Sequence, residues 1–241
     1  MSLKGQTASQ ADLRFMALAL SLARRGLGQV SPNPAVGCVI VDRDGLVAGR
    51  GWTQKGGRPH AETEAIAQAG SRARGATAYV SLEPCAHHGV TGPCAQALIA
   101  AGVSRVVSAA QDPDPRVAGK GHAMLREAGI AVLTGVMERE ALALNEGFIL
   151  RVTQNRPLVT LKLAMSIDGR IATASGQSQW ITGEAARAHG HMLRAQSDAI
   201  LIGAGTALAD DPLLTCRIPG LEARSPLRVV AAGKRPFTLT K

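Results

Sequence analysis

Aromatic side chains are almost missing from this chain: two Trp, one Tyr and three Phe among 241 residues. So few rings argue against the stacking platforms on which single-stranded nucleic acids are held. The core must therefore be built from Ala, Val, Leu and Ile, for which an apolar content of 46% is sufficient. Long apolar runs are missing too. No stretch approaches the roughly 20 residues needed to span a bilayer, and the N-terminus lacks the apolar core of a signal peptide. The expectation is a soluble, cytoplasmic protein with no membrane partner. Cysteine is scarce, with four residues at irregular spacing, which argues against a disulfide framework. Acidic residues are outnumbered 18 to 27 by Lys and Arg, and the resulting net charge of +9 admits nucleic acid, membranes or phosphorylated substrates as partners. The length suits one large domain or two small ones.

What is present is a split cluster: His60-Ala61-Glu62 opening a helical segment, Pro84-Cys85 ending an apolar run, and Pro93-Cys94 opening another helix. One His, two Cys and a neighbouring Glu that need not be a ligand are the components of a water-activating zinc site. Structural zinc usually takes four protein ligands, catalytic zinc three plus a water, and three are offered here. Glu62 suits the proton carrier, taking a proton from the water and delivering it to a leaving amine. Nucleobase deaminases carry His-x-Glu followed by Pro-Cys-x-x-Cys; here eight residues separate Cys85 from Cys94, so the loop must fold back, which Gly89, Gly92 and Pro93 permit. His87 and His88 leave several roles open: facing substrate, replacing His60 as ligand, or standing in a solvated loop.

Helix and strand signals alternate, which predicts a wound α/β layer. Ser9 to Arg25 reads as a helix with Leu13, Met16, Ala17 and Leu20 on one face and a Ser9–Asp12 capping box. Ala35–Val41 and Leu46–Trp52 read as a hairpin. Then follow a helix His60–Ala69, a strand Thr77–Leu82, a helix Cys94–Ala101, a strand Arg105–Ala110, a helix Gly121–Ala128, a strand Ala131–Val136 and a helix Glu138–Leu150. Character changes near Asn155-Arg156-Pro157, where a second unit starts: a strand Leu158–Ala164, a helix Glu184–Ala195, and strands Ala199–Ile202 and Leu227–Ala231. Gly203-Ala204-Gly205-Thr206 brings backbone near a phosphate in one reading and is a tight turn in the other; the motif alone favours the turn. Asn33, between two prolines, either hydrogen-bonds a heterocycle over the metal or simply begins a turn. Arg194 and Arg217 are able to clamp a phosphate, although surface arginines are common.

The residues also carry a resemblance. Ser31-Pro32-Asn33-Pro34-Ala35-Val36-Gly37, His60-Ala61-Glu62, Leu82-Glu83-Pro84-Cys85 and Gln111-Asp112-Pro113-Asp114-Pro115 stand in the first unit. Leu161-Lys162-Leu163-Ala164 through Asp168-Gly169-Arg170, Ser178-Gln179-Trp180-Ile181-Thr182, Leu193-Arg194-Ala195-Gln196-Ser197, and Ala209-Asp210-Asp211-Pro212 through Thr215-Cys216-Arg217 stand in the second. Together they make the chain similar to the bifunctional riboflavin-biosynthesis family, a pyrimidine deaminase fused to a 5-amino-6-(5-phosphoribosylamino)uracil reductase. The eight-residue cysteine gap belongs to that family. The resemblance implies a cytidine-deaminase-like three-layer zinc domain over 1–150, followed by a truncated dihydrofolate-reductase-like α/β domain over 151–241.

It also implies a division of labour. His60, Cys85 and Cys94 would hold Zn2+, Glu62 would carry the proton, and Asn33 would bind the ring of 2,5-diamino-6-(5-phosphoribosylamino)pyrimidin-4-one as its 2-amino group is hydrolysed. Ala164, Trp180, Thr206 and Asp210 would line the NADPH site. Ser178, Arg194, Leu214 and Arg217 would hold the phosphorylated substrate while its ribosyl group is reduced to ribityl. The expected partners are that small molecule and further copies of the chain, not nucleic acid. Two departures stand out. Similar proteins carry Lys or Arg in the cysteine loop where this chain has Val90, and they continue for about half a domain past Lys241, which predicts exposed sheet edges and an incomplete cofactor cleft. Two other readings compete: a deaminase acting on another nucleobase or on tRNA, and a module in which zinc only staples the fold.

Overall fold

The computed structural model describes residues 7–87, 89 and 92–233. Two compact units emerge, one of Met1–Gly26 with Val30–Leu158, the other of Leu27–Gln29 with Val159–Lys241.

The first unit begins with α1 (Gln10–Ala23). The capping box forms: Ser9 Oγ accepts the Asp12 N–H at 3.1 Å and Asp12 Oδ2 accepts the Ser9 N–H at 3.0 Å. The buried stripe is not the expected one. Asp12, Phe15, Met16, Ala19, Leu20, Leu22 and Ala23 face inward, while Leu13 and Ala17 are exposed. A polar anchor sets this rotation, because the Asp12 carboxylate takes Arg105 Nη1 and Nη2 at 2.7 and 3.1 Å and the Tyr79 hydroxyl at 3.1 Å.

A five-stranded sheet follows, built from β1 (Gly37–Val41), β2 (Val47–Trp52), β3 (Thr77–Val80), β4 (Arg105–Ser108) and β5 (Ala131–Thr134) in the order β2-β1-β3-β4-β5. β1 runs antiparallel to β2 and β3; β3, β4 and β5 are parallel. The crossovers are α3 (Cys94–Ala100) and α4 (Lys120–Glu127). With α2 (Ala61–Ala69) they cover one face, and α1 covers the other, giving three layers. Glycine makes the close approach possible on each side. A Cβ at Gly51 would stand 2.1 Å from the Ala61 carbonyl oxygen of α2, and one at Gly37 1.9 Å from that of Ala19 in α1. The core between is aliphatic, as the composition requires, with Met16, Leu20, Ile40, Leu82, Leu98 and Leu125 fully buried.

The expected helix Glu138–Leu150 is two, α5 (Glu138–Leu144) and α6 (Glu146–Gln154), broken at Asn145. Asn145 spends its side chain elsewhere: Oδ1 accepts the Ala35 N–H at 2.9 Å and Nδ2 donates to the Ala35 carbonyl at 3.0 Å. Thr53 completes that clamp, its Oγ1 accepting the Val36 N–H at 3.0 Å and donating to the Pro34 carbonyl at 3.1 Å.

The second unit contains α7 (Glu184–Ala195), β6 (Ala199–Gly203), α8 (Ala204–Asp210) and β7 (Leu227–Ala231), with β6 and β7 parallel. The Gly203-Ala204-Gly205-Thr206 stretch is thus the start of a helix, not a tight turn. The expected strand Leu158–Ala164 is absent among the described residues; the segment runs without regular hydrogen bonding, and Val159 and Leu161 are 80% and 79% exposed. A strand needs a ladder partner, and the propensity of Val and Leu does not replace one.

Candidate metal centre and anion cluster

His60 is the N-cap of α2, Cys94 opens α3, and Cys85 lies in the loop after β3, so three element ends converge at the carboxyl edge of the parallel strands. His60 Nδ1 lies 3.2 Å from Cys94 Sγ and 3.7 Å from Cys85 Sγ, and the Cys94 backbone N–H donates to Cys85 Sγ at 3.2 Å. All three donor atoms fall within 4.8 Å of one another. Zinc bonds of about 2.0 Å to nitrogen and 2.3 Å to sulfur put tetrahedral neighbours about 3.5–3.8 Å apart. The trio fits such an ion, with no fourth protein ligand in the group.

The electrostatics match the geometry. Cys85 is held as a thiolate, its pKa pulled down to about 4 by the hydrogen bond from Cys94, with His60 assisting against the cost of burial. Cys94 is pushed up by that same bond and by burial. His60 is raised by its hydrogen bond to Cys85, while burial and the nearby Arg58 charge oppose it. A divalent cation relieves this competition for protons among packed donors. Glu62, in the first turn of α2, is 3% exposed, and its pKa is raised to about 7 by burial and then by the Cys85 charge. A carboxyl poised near neutrality exchanges protons readily in both directions.

Several neighbours gave little signal in sequence. Glu83, inside a quoted motif but without an assigned role, is a buried carboxylate accepting the backbone N–H groups of Gly119 at 2.9 Å, His122 at 3.1 Å and Asp112 at 3.3 Å. It ties the loop after β4 and the start of α4 to the residue two before Cys85. Asp112 is raised to about 6 by burial, and Asp114 is lowered to about 2 by its bonds to Arg116. Asn33 Nδ2 donates to the Gly57 carbonyl at 3.3 Å, which places Asn33 against the loop leading to His60. His87 stands outside the donor trio, which takes His60 as its imidazole; the buried His87 Nδ1 has no hydrogen-bond partner among the described residues. His88 and Val90 lie outside the described residues.

In the second unit the structure brings Arg194 and Arg217 together through a residue not singled out in sequence, His191. Arg194 Nη1 contacts His191 Nδ1 at 3.2 Å and donates to the Thr215 carbonyl at 3.1 Å; the Arg217 N–H donates to His191 Nδ1 at 3.3 Å. His191 Nδ1 also faces the Thr215 carbonyl oxygen at 3.2 Å. Burial and then the charges of Arg194 and Arg217 lower the imidazole pKa. Leu214, buried, has a left-handed φ of 55°, turning the chain so that Thr215 and Arg217 meet α7. Thr206 and Asp210 lie one turn apart on α8 and are exposed, as is Ser178; Ala164 is half-buried, and Trp180 stacks with the Arg187 guanidinium 4.8 Å from its ring.

Comparisons with known proteins cover both units. Residues 9–110 match the cytidine and deoxycytidylate deaminase zinc-binding region, and residues 157–238 match the RibD C-terminal domain. The riboflavin biosynthesis protein RibD of Escherichia coli K12 is 53% identical over 238 residues, covering 94% of this chain and 65% of that protein; RibD of Aquifex aeolicus is 48% identical over 219, covering 91% and 61%. Among solved structures, Acinetobacter baumannii RibD superposes with a TM-score of 0.85 at 48% identity, over 96% of this chain and 66% of that one. A Thermotoga maritima diaminohydroxyphosphoribosylaminopyrimidine deaminase/5-amino-6-(5-phosphoribosylamino)uracil reductase also gives 0.85, at 45% identity, over 91% and 62%. The chain spans about 56–65% of the length of the first three curated relatives. With both of its units matched in this way, the chain belongs to the RibD family of riboflavin biosynthesis proteins.

Proposed function

We propose that the first unit is a zinc-dependent deaminase of riboflavin biosynthesis, removing the 2-amino group of 2,5-diamino-6-(5-phosphoribosylamino)pyrimidin-4(3H)-one as ammonia. The observation that carries this reading is the buried Glu62 beside the His60, Cys85 and Cys94 trio. Zinc held by those three residues supplies the acidity that brings a water near neutrality. Glu62 accepts a proton from the attacking water and passes it to the leaving amino nitrogen, so that water enters at C2 and ammonia departs. Asn33, fixed against Gly57, is assigned to the pyrimidine ring.

The second unit is assigned to the reductase step, conversion of the ribosyl group to ribityl, for which bound NADPH would supply the hydride and solvent the proton. Ala164, Trp180, Thr206 and Asp210 are assigned to NADPH, and Ser178, Arg194, Leu214 and Arg217 to the phosphorylated substrate. Support comes from the relatives' names and from the convergence of Arg194 and Arg217 on His191. On this reading chemistry divides between residues 1–150 and 151–241. The protein works in the cytoplasm as a homo-oligomer, without nucleic acid or membrane; no helix among the described residues is long and apolar enough to cross a bilayer.

The test is ammonia release by the zinc-loaded chain beside Glu62→Gln. The variant is expected to keep its zinc and lose about 10²- to 10⁴-fold in rate. A Glu62→Gln protein as active as the parent would remove the proton carrier and leave zinc as a staple.

A further inference from the structure

The phosphoribosyl arm of the proposed substrate ends in a dianion that requires a cation near the deaminase site, and the sequence around the cysteines offers none. Between Arg74 and Arg105, the stretch that holds both Cys85 and Cys94, there is no Lys or Arg. Arg116, in the loop after β4, donates from Nε to both Asp114 carboxylate oxygens at 3.0 Å.

Arg58 reaches in from the opposite loop. It stands two residues before His60, is half-buried, and is near enough to the His60 ring to act on it electrostatically. Its guanidinium lies beside Gly89, between the two cysteines in sequence: a Cβ there would stand 2.9 Å from Nη2 and 3.9 Å from Cζ. A side chain at position 89 would push the guanidinium aside, so the glycine and the arginine suit each other. Arg58 thus links the segment leading to His60 with Gly89, and carries a planar, permanently charged group of the kind that pairs with phosphate oxygens.

We propose that Arg58 is the specificity-determining residue of the deaminase site, binding the substrate's phosphate and selecting the phosphoribosylated pyrimidine over its dephosphorylated form. The assignment rests on the deaminase reading above and names the group that would hold the far end of that substrate. Glu62 and the metal ligands act on the ring; Arg58 acts on the anion.

The experiment measures ammonia release by the zinc-loaded chain from the phosphoribosylated diaminopyrimidinone and from its dephosphorylated ribosyl analogue, for the parent, Arg58→Ala, Arg58→Lys and Arg116→Ala. Zinc content and circular dichroism confirm that each variant is folded. Arg58→Ala is expected to raise KM for the phosphorylated substrate about 10- to 100-fold, the worth of a charge-assisted contact, with kcat within about twofold and the loss confined to that substrate. Arg58→Lys should recover much of the difference. An equal loss on both substrates, an unchanged KM, or a phosphate-specific loss that follows Arg116→Ala would overturn the role of Arg58 and leave the deaminase standing. No ammonia from either substrate with the folded, zinc-loaded parent would overturn the deaminase reading, and the role of Arg58 with it.

Discussion

Asp12 is 2% exposed, and a carboxylate so enclosed needs partners for its lone pairs. It receives the Ser9 N–H, the Tyr79 hydroxyl and a two-pronged grip from Arg105, which bridges α1 to β3 and β4. Burial opposes the charge, but the Arg105 and Ser9 bonds outweigh it and hold the Asp12 pKa well below the usual carboxylate range. The sign follows from linkage: because the folded state binds this proton more weakly than the unfolded state, stability from Asp12 is fully present above about pH 4 and is lost as pH falls further. Asp12→Ala removes a cap and leaves the Arg105 charge poorly matched, so a loss of about 2–4 kcal/mol is expected in urea unfolding at pH 7. The gap between parent and variant should narrow below pH 4; a gap of constant size would show that Asp12 contributes through packing alone.

At the scale of elements, the metal site depends on how rigidly the segments ahead of β1 and α2 are held. Asn145 ends α5 and at the same time satisfies both backbone groups of Ala35. Asn145→Ala would strand a buried donor and a buried acceptor, at a cost of about 2–3 kcal/mol. Ammonia release should fall with it, since Ala35 lies two residues from Asn33; unaltered stability would show that water replaces the amide. This bond spans 110 residues, which explains why the helix break was illegible in sequence. Glu83 is similar, with its N–H partners 29 to 39 residues away. By contrast, the grouping of His60, Cys85 and Cys94 was legible because each stands at an element end marked by Pro or a helix start, where local signals are strongest. The helix Glu184–Ala195 and the strand Leu227–Ala231 were legible to the residue for the same local reasons. The segment Leu158–Ala164 misled because its apolar composition has no pairing partner, and α1 misled because Asp12, not Leu13, turns toward the sheet.

Over the whole molecule, apolar burial is uneven between the two units. The first encloses almost all of its large aliphatic side chains around one sheet, whereas Val159, Leu161, Ile171, Trp180, Leu201 and Leu227 of the second are each more than 65% exposed. At about 25 cal/mol per Å2 of apolar surface removed from water, such exposure leaves the second unit with the weaker driving force for folding. The donor trio belongs to the first unit alone, and a metal that binds only the folded state stabilises by mass action. Thermal unfolding is therefore expected in two steps, with only the upper one responding to zinc. A chelator should lower that upper midpoint by several degrees, equally in Glu62→Gln, and should leave the lower step where it was. His60→Ala should abolish the zinc response while keeping both steps. Limited proteolysis should cut first between residues 157 and 183, where the described chain has no helix or strand, releasing a fragment that still binds zinc. A single cooperative transition moved as a whole by chelator would show instead that the two units fold as one.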